Sequence, residues 1–370
     1  MNNYMNRRTA LTTSLAAAAG TFVFTSEGTA AQPRKSMNKP SAATVLKPKA
    51  LQAGMKLGMA FPAGWTTMAD VEKGKAYLEG LGFVVELGSN AGKTHGYLSA
   101  PDKDRANEFM RFIERKDIDG IICARGGYGI MRMLQYLDFA SIRRNCKVIC
   151  GYSDITALIN SIHQHSGIVT FHGPGALAAW DEFTFKHFAP VAFAPEFAAT
   201  FATALQAPVR NAKDQSFSLT PPKTSDFTPP TTITPGKTAG KLVGGNLTLL
   251  ANTMGTPYEI DTNRAILFFE DVTEEPYRID RMITQLLIAG KLQRAAGLAL
   301  GQFTKCEASD PDHSFTVPDL LRERLQDLNI PTVTGLQFGH VASKHTYPVG
   351  IQAELDATTG VLKLLERAVV

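Results

Sequence analysis

Between Met55 and Gly173 the chain repeats one pattern four times and closes it with a fifth strand: a short apolar run of strand length, then a segment with apolar residues at helical spacing. The strand-like runs are "MKLGMAF", "FVVELG", "IDGIICA", "KVICGYS" and "IVTFHG". The helical ones are "MADVEKGKAYLEGLG", "DKDRANEFMRFIERK", "GIMRMLQYLD" and "DITALINSIHQHSG". Strands alternating with helices at this spacing form parallel βαβ units joined by right-handed crossovers. The pattern predicts an open parallel α/β sheet over residues 51–190.

Beyond it the composition changes. The stretch "DQSFSLTPPKTSDFTPPTTITPGKTAG" has a Pro, Thr and Ser content that lets neither a helix nor a buried strand run through, so residues 191–238 read as a linker or long surface excursion. Short strands and helical segments resume in "GKLVGGNLTLLANTMGTPYEID", "AILFFEDV", "EPYRIDRMITQLLIAGKL", "AAGLALGQF" and "VTGLQFGHV". They predict a second, smaller α/β domain over 239–370, ending in an edge hairpin, "GIQAELDATTGVLKLLE". A chain of 370 residues, 44% of them hydrophobic, can fill two such cores.

The first 31 residues have a basic start, a short apolar stretch and small residues at Thr29 and Ala31, the pattern of an export signal; Arg7-Arg8 allows a twin-arginine reading in part. The rival is a membrane anchor, but the apolar run from Ala10 to Phe24 is shorter than the roughly 20 residues a spanning helix needs. Stable membrane insertion after signal removal is therefore not expected. Residues 32–50 read as a tether, with folding from near Leu51. A net charge of +4 is too weak over this length to imply nucleic acid. The four cysteines make no disulfide framework and read as structural, although a disulfide stays open. His163 and His165 lie two apart, on different faces of a helix, so no metal is expected.

Open α/β sheets bind ligands at the carboxyl ends of their strands. Arg125-Gly126-Gly127-Tyr128-Gly129 follows one strand there and Gly151-Tyr152-Ser153-Asp154 another. In the second, a strand turns sharply into a helix with Ser153 at the apex. The amide of Asp154 and the positive end of the helix dipole would face an oxyanion formed beside it. Ser153 thus suits a nucleophile; a helix cap is the equal alternative. A serine needs a base, and a histidine held by a carboxylate is the usual solution. His340 falls on a loop and Glu270 closes an apolar strand, but a solvated histidine and a helix-capping acid explain each separately. The Gly126–Gly129 run also allows a phosphate or dinucleotide loop, although GxGxxG is incomplete. Gly126 or Gly127 would serve equally well as a second oxyanion donor.

Six blocks in order, "ICARGGYGIMRMLQYLD", "GYSDITAL", "FHGPGA", "GGNLTLLANTMGTPYEID", "ILFFEDVTEEPYRIDRMITQL" and "FGHVASKHTYPVG", resemble the L,D-carboxypeptidases of murein recycling, a serine peptidase group that includes the microcin C immunity peptidases. The resemblance runs from about Leu51 to the C-terminus. It implies a triad of Ser153 (nucleophile), His340 (base, then acid) and Glu270 (orienting His340), with the site in the cleft between two domains. It also implies an oxyanion hole from the Asp154 amide and one from Gly126-Gly127, no metal or cofactor, and a homodimer. A muropeptide or peptidoglycan stem peptide would be the substrate, its carboxylate met by a cation, for which Arg125 is the candidate. Two features depart from the pattern: the export signal, which implies a periplasmic location, and the length of the Pro/Thr-rich stretch. Rival readings are a detoxifying peptidase of the microcin-immunity type, an α/β-hydrolase, whose elbow wants Gly where Ile155 stands, and a non-catalytic periplasmic binding protein.

Overall fold

Parallel strands buried on both faces need apolar residues at every position, and the runs singled out in the first half have that composition. In the computed structural model, which describes residues 45–193, 216–217 and 230–370, they form β1 (Lys56–Ala60), β2 (Val84–Leu87), β3 (Gly120–Cys123), β4 (Val148–Gly151) and β5 (Thr170–His172), all parallel in the order β2-β1-β3-β4-β5. The helices of this half are α1 (Met68–Gly80), α2 (Asp102–Glu114), α3 (Ile130–Met133), α4 (Phe139–Arg144), α5 (Ile155–Ser166) and α6 (Glu182–Ala192). The export signal (1–31), most of the tether and most of the Pro/Thr-rich linker lie outside the described residues. Among those described, no helix is long and apolar enough to cross a membrane.

The second half contributes β6 (Ser216–Phe217), β7 (Thr231–Thr234), β8 (Lys237–Asn246), α7 (Leu247–Asn252), β9 (Ala265–Val272), α8 (Pro276–Ile288), α9 (Lys291–Arg294), β10 (Gly297–Thr304), α10 (Val317–Leu325) and β11 (Thr332–Thr334), then β12 (Tyr347–Val349), β13 (Gln352–Asp356) and β14 (Val361–Leu364). Its sheet runs β6-β14-β13-β8-β9-β10-β11-β7, parallel from β8 to β11 and antiparallel on either side. The fold is α/β, with a parallel-rich N-terminal sheet and a C-terminal domain on a sheet of its own.

One set of contacts organises the loops of the N-terminal sheet and another joins the two halves. The Arg105 guanidinium of α2, fully buried, donates to the carbonyls of Pro62, after β1, and Gly129, after β3, and so clamps together the two loops at the carboxyl end of the sheet. Helix α5, which follows β4, is covered on its far side by β8: Asn160 Nδ2 donates to the Gly244 carbonyl at 2.8 Å, and the Asn246 amide donates to Thr156 Oγ1 at 2.9 Å. This contact explains why Ile155–Ile162 are all buried.

Three sequence expectations need correction. Part of the segment read as a tether belongs to the fold: the Leu46 amide bonds the Gly167 carbonyl and the Val169 amide bonds that of Leu46. Two apolar residues, Val45 and Leu46, too few to show periodicity, suffice because they dock on a sheet already built. The Pro/Thr-rich segment contributes to the C-terminal sheet through β6, through β7, a partly exposed edge strand rich in β-branched residues, and through the first residues of β8. Third, β12 leaves the C-terminal half and pairs antiparallel with β5, so the N-terminal sheet has a sixth strand from the far end of the chain.

Candidate active site

A buried strand that must become a helix within three residues has few backbone solutions. The chain uses Gly151, where a Cβ would lie 2.8 Å from the Ile155 side chain, and then a left-handed residue, Ser153, at φ 64. A non-glycine residue there is strained, as at nucleophile elbows. The Ser153 side chain does not cap α5. Asp154 is the N-cap residue, and its carboxylate instead accepts the Ile130 amide at 2.9 Å, tying the elbow to the start of α3. Burial pushes the Asp154 carboxyl up to about 6, against the pull of the Ile130 bond and Arg105.

Gly126 lies against the elbow: a Cβ on it would sit 2.7 Å from Ser153 Cβ and 3.0 Å from both Ser153 Oγ and the Asp154 nitrogen. Glycine is required there by contact alone. The amides of Gly126, Gly127 and Asp154 have no acceptor among the described residues, which leaves N–H donors around the hydroxyl. Arg125 is exposed at the rim, where its Nη1 donates to the Trp65 carbonyl at 3.2 Å.

From the other sheet comes a carboxylate–imidazole pair. His340 Nδ1 lies 2.7 Å from Glu270 Oε2, so Nδ1 carries the proton and donates, and Nε2 is left as the basic atom. Glu270 stands inside β9 and not at its end, with no exposed surface. Burial alone would raise its pKa, but the charge and hydrogen bond of His340, with His172 and Asn246, outweigh burial and hold it ionised below the ordinary value. Asn246 Nδ2 reaches Glu270 Oε1 at 3.5 Å and Asp271 Oδ1 at 2.9 Å, while His172 Nε2 lies 3.9 Å from Glu270 Oε1.

Tyr152 joins the two halves. Its ring centroid is 5.1 Å from that of His340 and 6.5 Å from that of His172. The residue before Ser153 therefore packs directly on the imidazole that Glu270 orients. No hydrogen bond joins Ser153 Oγ to His340 among the described residues; the only bond of the imidazole given by the structure is that to Glu270. The elbow that carries Ser153 thus adjoins, through Tyr152, an imidazole backed by a fully buried carboxylate. This arrangement can perform nucleophilic acyl transfer. Among the described residues no group of three or more His, Cys, Asp or Glu is placed to hold a metal, and the four cysteines are free thiols.

Sequence reasoning missed Tyr152, His172, Asn246 and Lys344, the last of which lies with Nζ 4.3 Å from the Tyr152 ring centroid. A lysine within the otherwise uncharged run after His340 was the available signal.

Both halves of the chain match models of one known family. The LD-carboxypeptidase N-terminal domain matches residues 58–173 and the LD-carboxypeptidase C-terminal domain matches residues 239–355. The chain belongs to the LD-carboxypeptidase family. Its family makes it a peptidase, a hydrolase of the carboxypeptidase group, and the two matched regions hold Ser153 and the Glu270–His340 pair respectively. The Bacillus subtilis (strain 168) protein named "Probable murein peptide carboxypeptidase" is 36% identical over 310 residues, covering 84% of this chain and 91% of the relative. The Escherichia coli microcin C7 self-immunity protein MccF is 28% identical over 314 residues, 80% of this chain and 88% of the relative. The crystal structure of muramoyltetrapeptide carboxypeptidase from Oxalobacter formigenes superposes with a TM-score of 0.67 at 30% identity, covering 84% of this chain and 98% of that one.

Proposed function

We propose that this LD-carboxypeptidase is a serine enzyme that releases the terminal D-Ala of murein tetrapeptides through an acyl-enzyme. The observation that carries the reading is the 2.7 Å Glu270–His340 bond, set against the Tyr152-Ser153 elbow. In this mechanism His340 Nε2 accepts the Ser153 proton as Oγ attacks the carbonyl of the L-centre. The resulting imidazolium is stabilised by Glu270. The oxyanion is met by the Asp154 amide and one from Gly126-Gly127. Collapse breaks the amide C–N bond, with His340 returning the proton to the leaving amine of D-Ala. Water, deprotonated by the same imidazole, then hydrolyses the ester and restores Ser153.

On the strength of the leader read at residues 1–31, we assign the reaction to the periplasm, on peptidoglycan stem peptides or muropeptides. The family resemblance supports a homodimer. Likeness to MccF favours one further reading, cleavage of a peptide–nucleotide antibiotic, to which an exported enzyme is less suited.

Incubating the mature chain with a murein tetrapeptide and the matching pentapeptide, and weighing the products, tests the assignment. Loss of one alanine from the tetrapeptide only is expected, because the last bond of the pentapeptide joins two D-centres. Trimming of the pentapeptide alone, or of neither, contradicts it.

A further inference from the structure

Lys344 is a largely buried lysine whose ammonium rests on an aromatic ring and not on a carboxylate. Only 4% of the residue is exposed, and its Nζ has neither a hydrogen bond nor an ion pair among the described residues. The charges of Glu270 and Asp181 are felt at the ammonium, but neither carboxylate pairs with it. Burial pushes its pKa down to about 8, which still leaves it largely charged at neutral pH. A largely buried ammonium lacking an acceptor is costly, and the Tyr152 ring face at 4.3 Å recovers only part of that.

Lysines usually escape such a site by extending their stems to water. Here the backbone is held. The Lys344 amide donates to Thr184 Oγ1 at 3.1 Å, and Ser343 Oγ donates to Asp181, so this loop is fastened to the start of α6. The head group is left on Tyr152, the residue before Ser153, whose ring also packs on His340. A cation is thus kept within one side chain of the hydroxyl, with its hydrogen-bonding capacity unused.

A carboxypeptidase substrate carries a free carboxylate one residue beyond the bond to be cut. We infer that Lys344 is the anchor for that terminal carboxylate, an inference that rests on the peptidase reading above. A carboxylate there would complete the shell of an ammonium whose stem is buried and whose head still reaches the protein surface. Arg125, the candidate from sequence, is exposed at the rim and already engages the Trp65 carbonyl, so its contact with an anion would be screened by solvent.

The test compares a murein tetrapeptide ending in free D-Ala with the same peptide ending in D-Ala amide, on the wild type, Lys344→Met and Lys344→Gln. Thermal melting reports whether the variants fold, and a serine-directed phosphonate reports whether wild-type Ser153 is reactive. The wild type is expected to prefer the acid by about 100-fold in kcat/KM, and both variants to lose most of that preference through the acid alone. A folded variant that keeps the preference overturns the inference, as does a wild type that cleaves acid and amide equally. A wild type that cleaves neither peptide and is not labelled at Ser153 contradicts the peptidase reading itself, and the anchor falls with it.

Discussion

Gly339 lies against the carboxylate of Glu270, so closely that a Cβ at this position would sit 2.5 Å from Oε2, and its φ of +105 is one that side chains avoid. The glycine before His340 is what lets the imidazole loop descend onto the buried acid. Gly339→Ala should therefore destabilise the fold by about 2 to 4 kcal/mol, from strain and overpacking together, and lower kcat by separating Glu270 from His340. Urea unfolding and steady-state kinetics check both. An alanine variant of wild-type stability and rate would contradict the packing described.

Glu270→Gln keeps the shape of the side chain and removes its charge. The amide can no longer favour the Nδ1–H form of His340 or stabilise its imidazolium, and kcat should fall by about 10³-fold or more, with KM changed little. Kinetics on the tetrapeptide decide. A loss confined to KM would place Glu270 in binding and not in orienting His340.

Thr156 Oγ1 accepts the buried amide of Asn246, one of the few polar links between α5 and β8. Thr156→Val preserves the shape and leaves that N–H unpaired, at a cost of about 1 to 3 kcal/mol. The same amide fixes Asn246, which bonds Asp271 and reaches Glu270, so a smaller loss of kcat should accompany the loss of stability.

His163 supplies a stability prediction with a definite sign. Its half-buried ring packs against Gly350, and its Nδ1–H donates to the Ile168 carbonyl at 2.9 Å. Burial pushes its pKa down to about 4 from the ordinary 6.5. Between these values the unfolded chain binds a proton that the folded one refuses, so this group's contribution is lost as the pH falls from 6.5 toward 4, by at most about 3 kcal/mol. His172, also pushed down to about 4, acts in the same direction. Asp154 and Asp271, raised to about 6 chiefly by burial, act in the opposite one. The informative quantity is therefore the difference between wild type and His163→Asn. The variant's deficit at pH 7.5 should narrow by pH 4.5; a constant deficit would contradict the burial argument.

The parallel sheet and the elbow were legible because their signals are local. Alternating apolar runs declare βαβ units, and Gly151-Tyr152-Ser153-Asp154 announces a sharp turn wherever it stands. What was not legible depends on contacts between distant segments. Leu46 looks like tether because its partners, Gly167 to Val169, lie more than a hundred residues on. Tyr347–Val349 is too short to show alternation and becomes a strand only because β5 presents an open edge. Two acids after an apolar run make Glu270 read as the end of its strand; the ladder continues to Val272 because Asp271 is satisfied by Asn246, Thr248 and the Val272 amide. Lys344 shows as a buried cation only once Tyr152 and Thr184 surround it.

The most direct measurement is D-Ala release from a murein tetrapeptide by the wild type and by Ser153→Ala, followed by mass spectrometry at equal folded concentration. The account expects steady release by the wild type and a loss of about 10⁴-fold or more in the variant, with its melting temperature preserved. Release by Ser153→Ala at a rate near that of the wild type would contradict it.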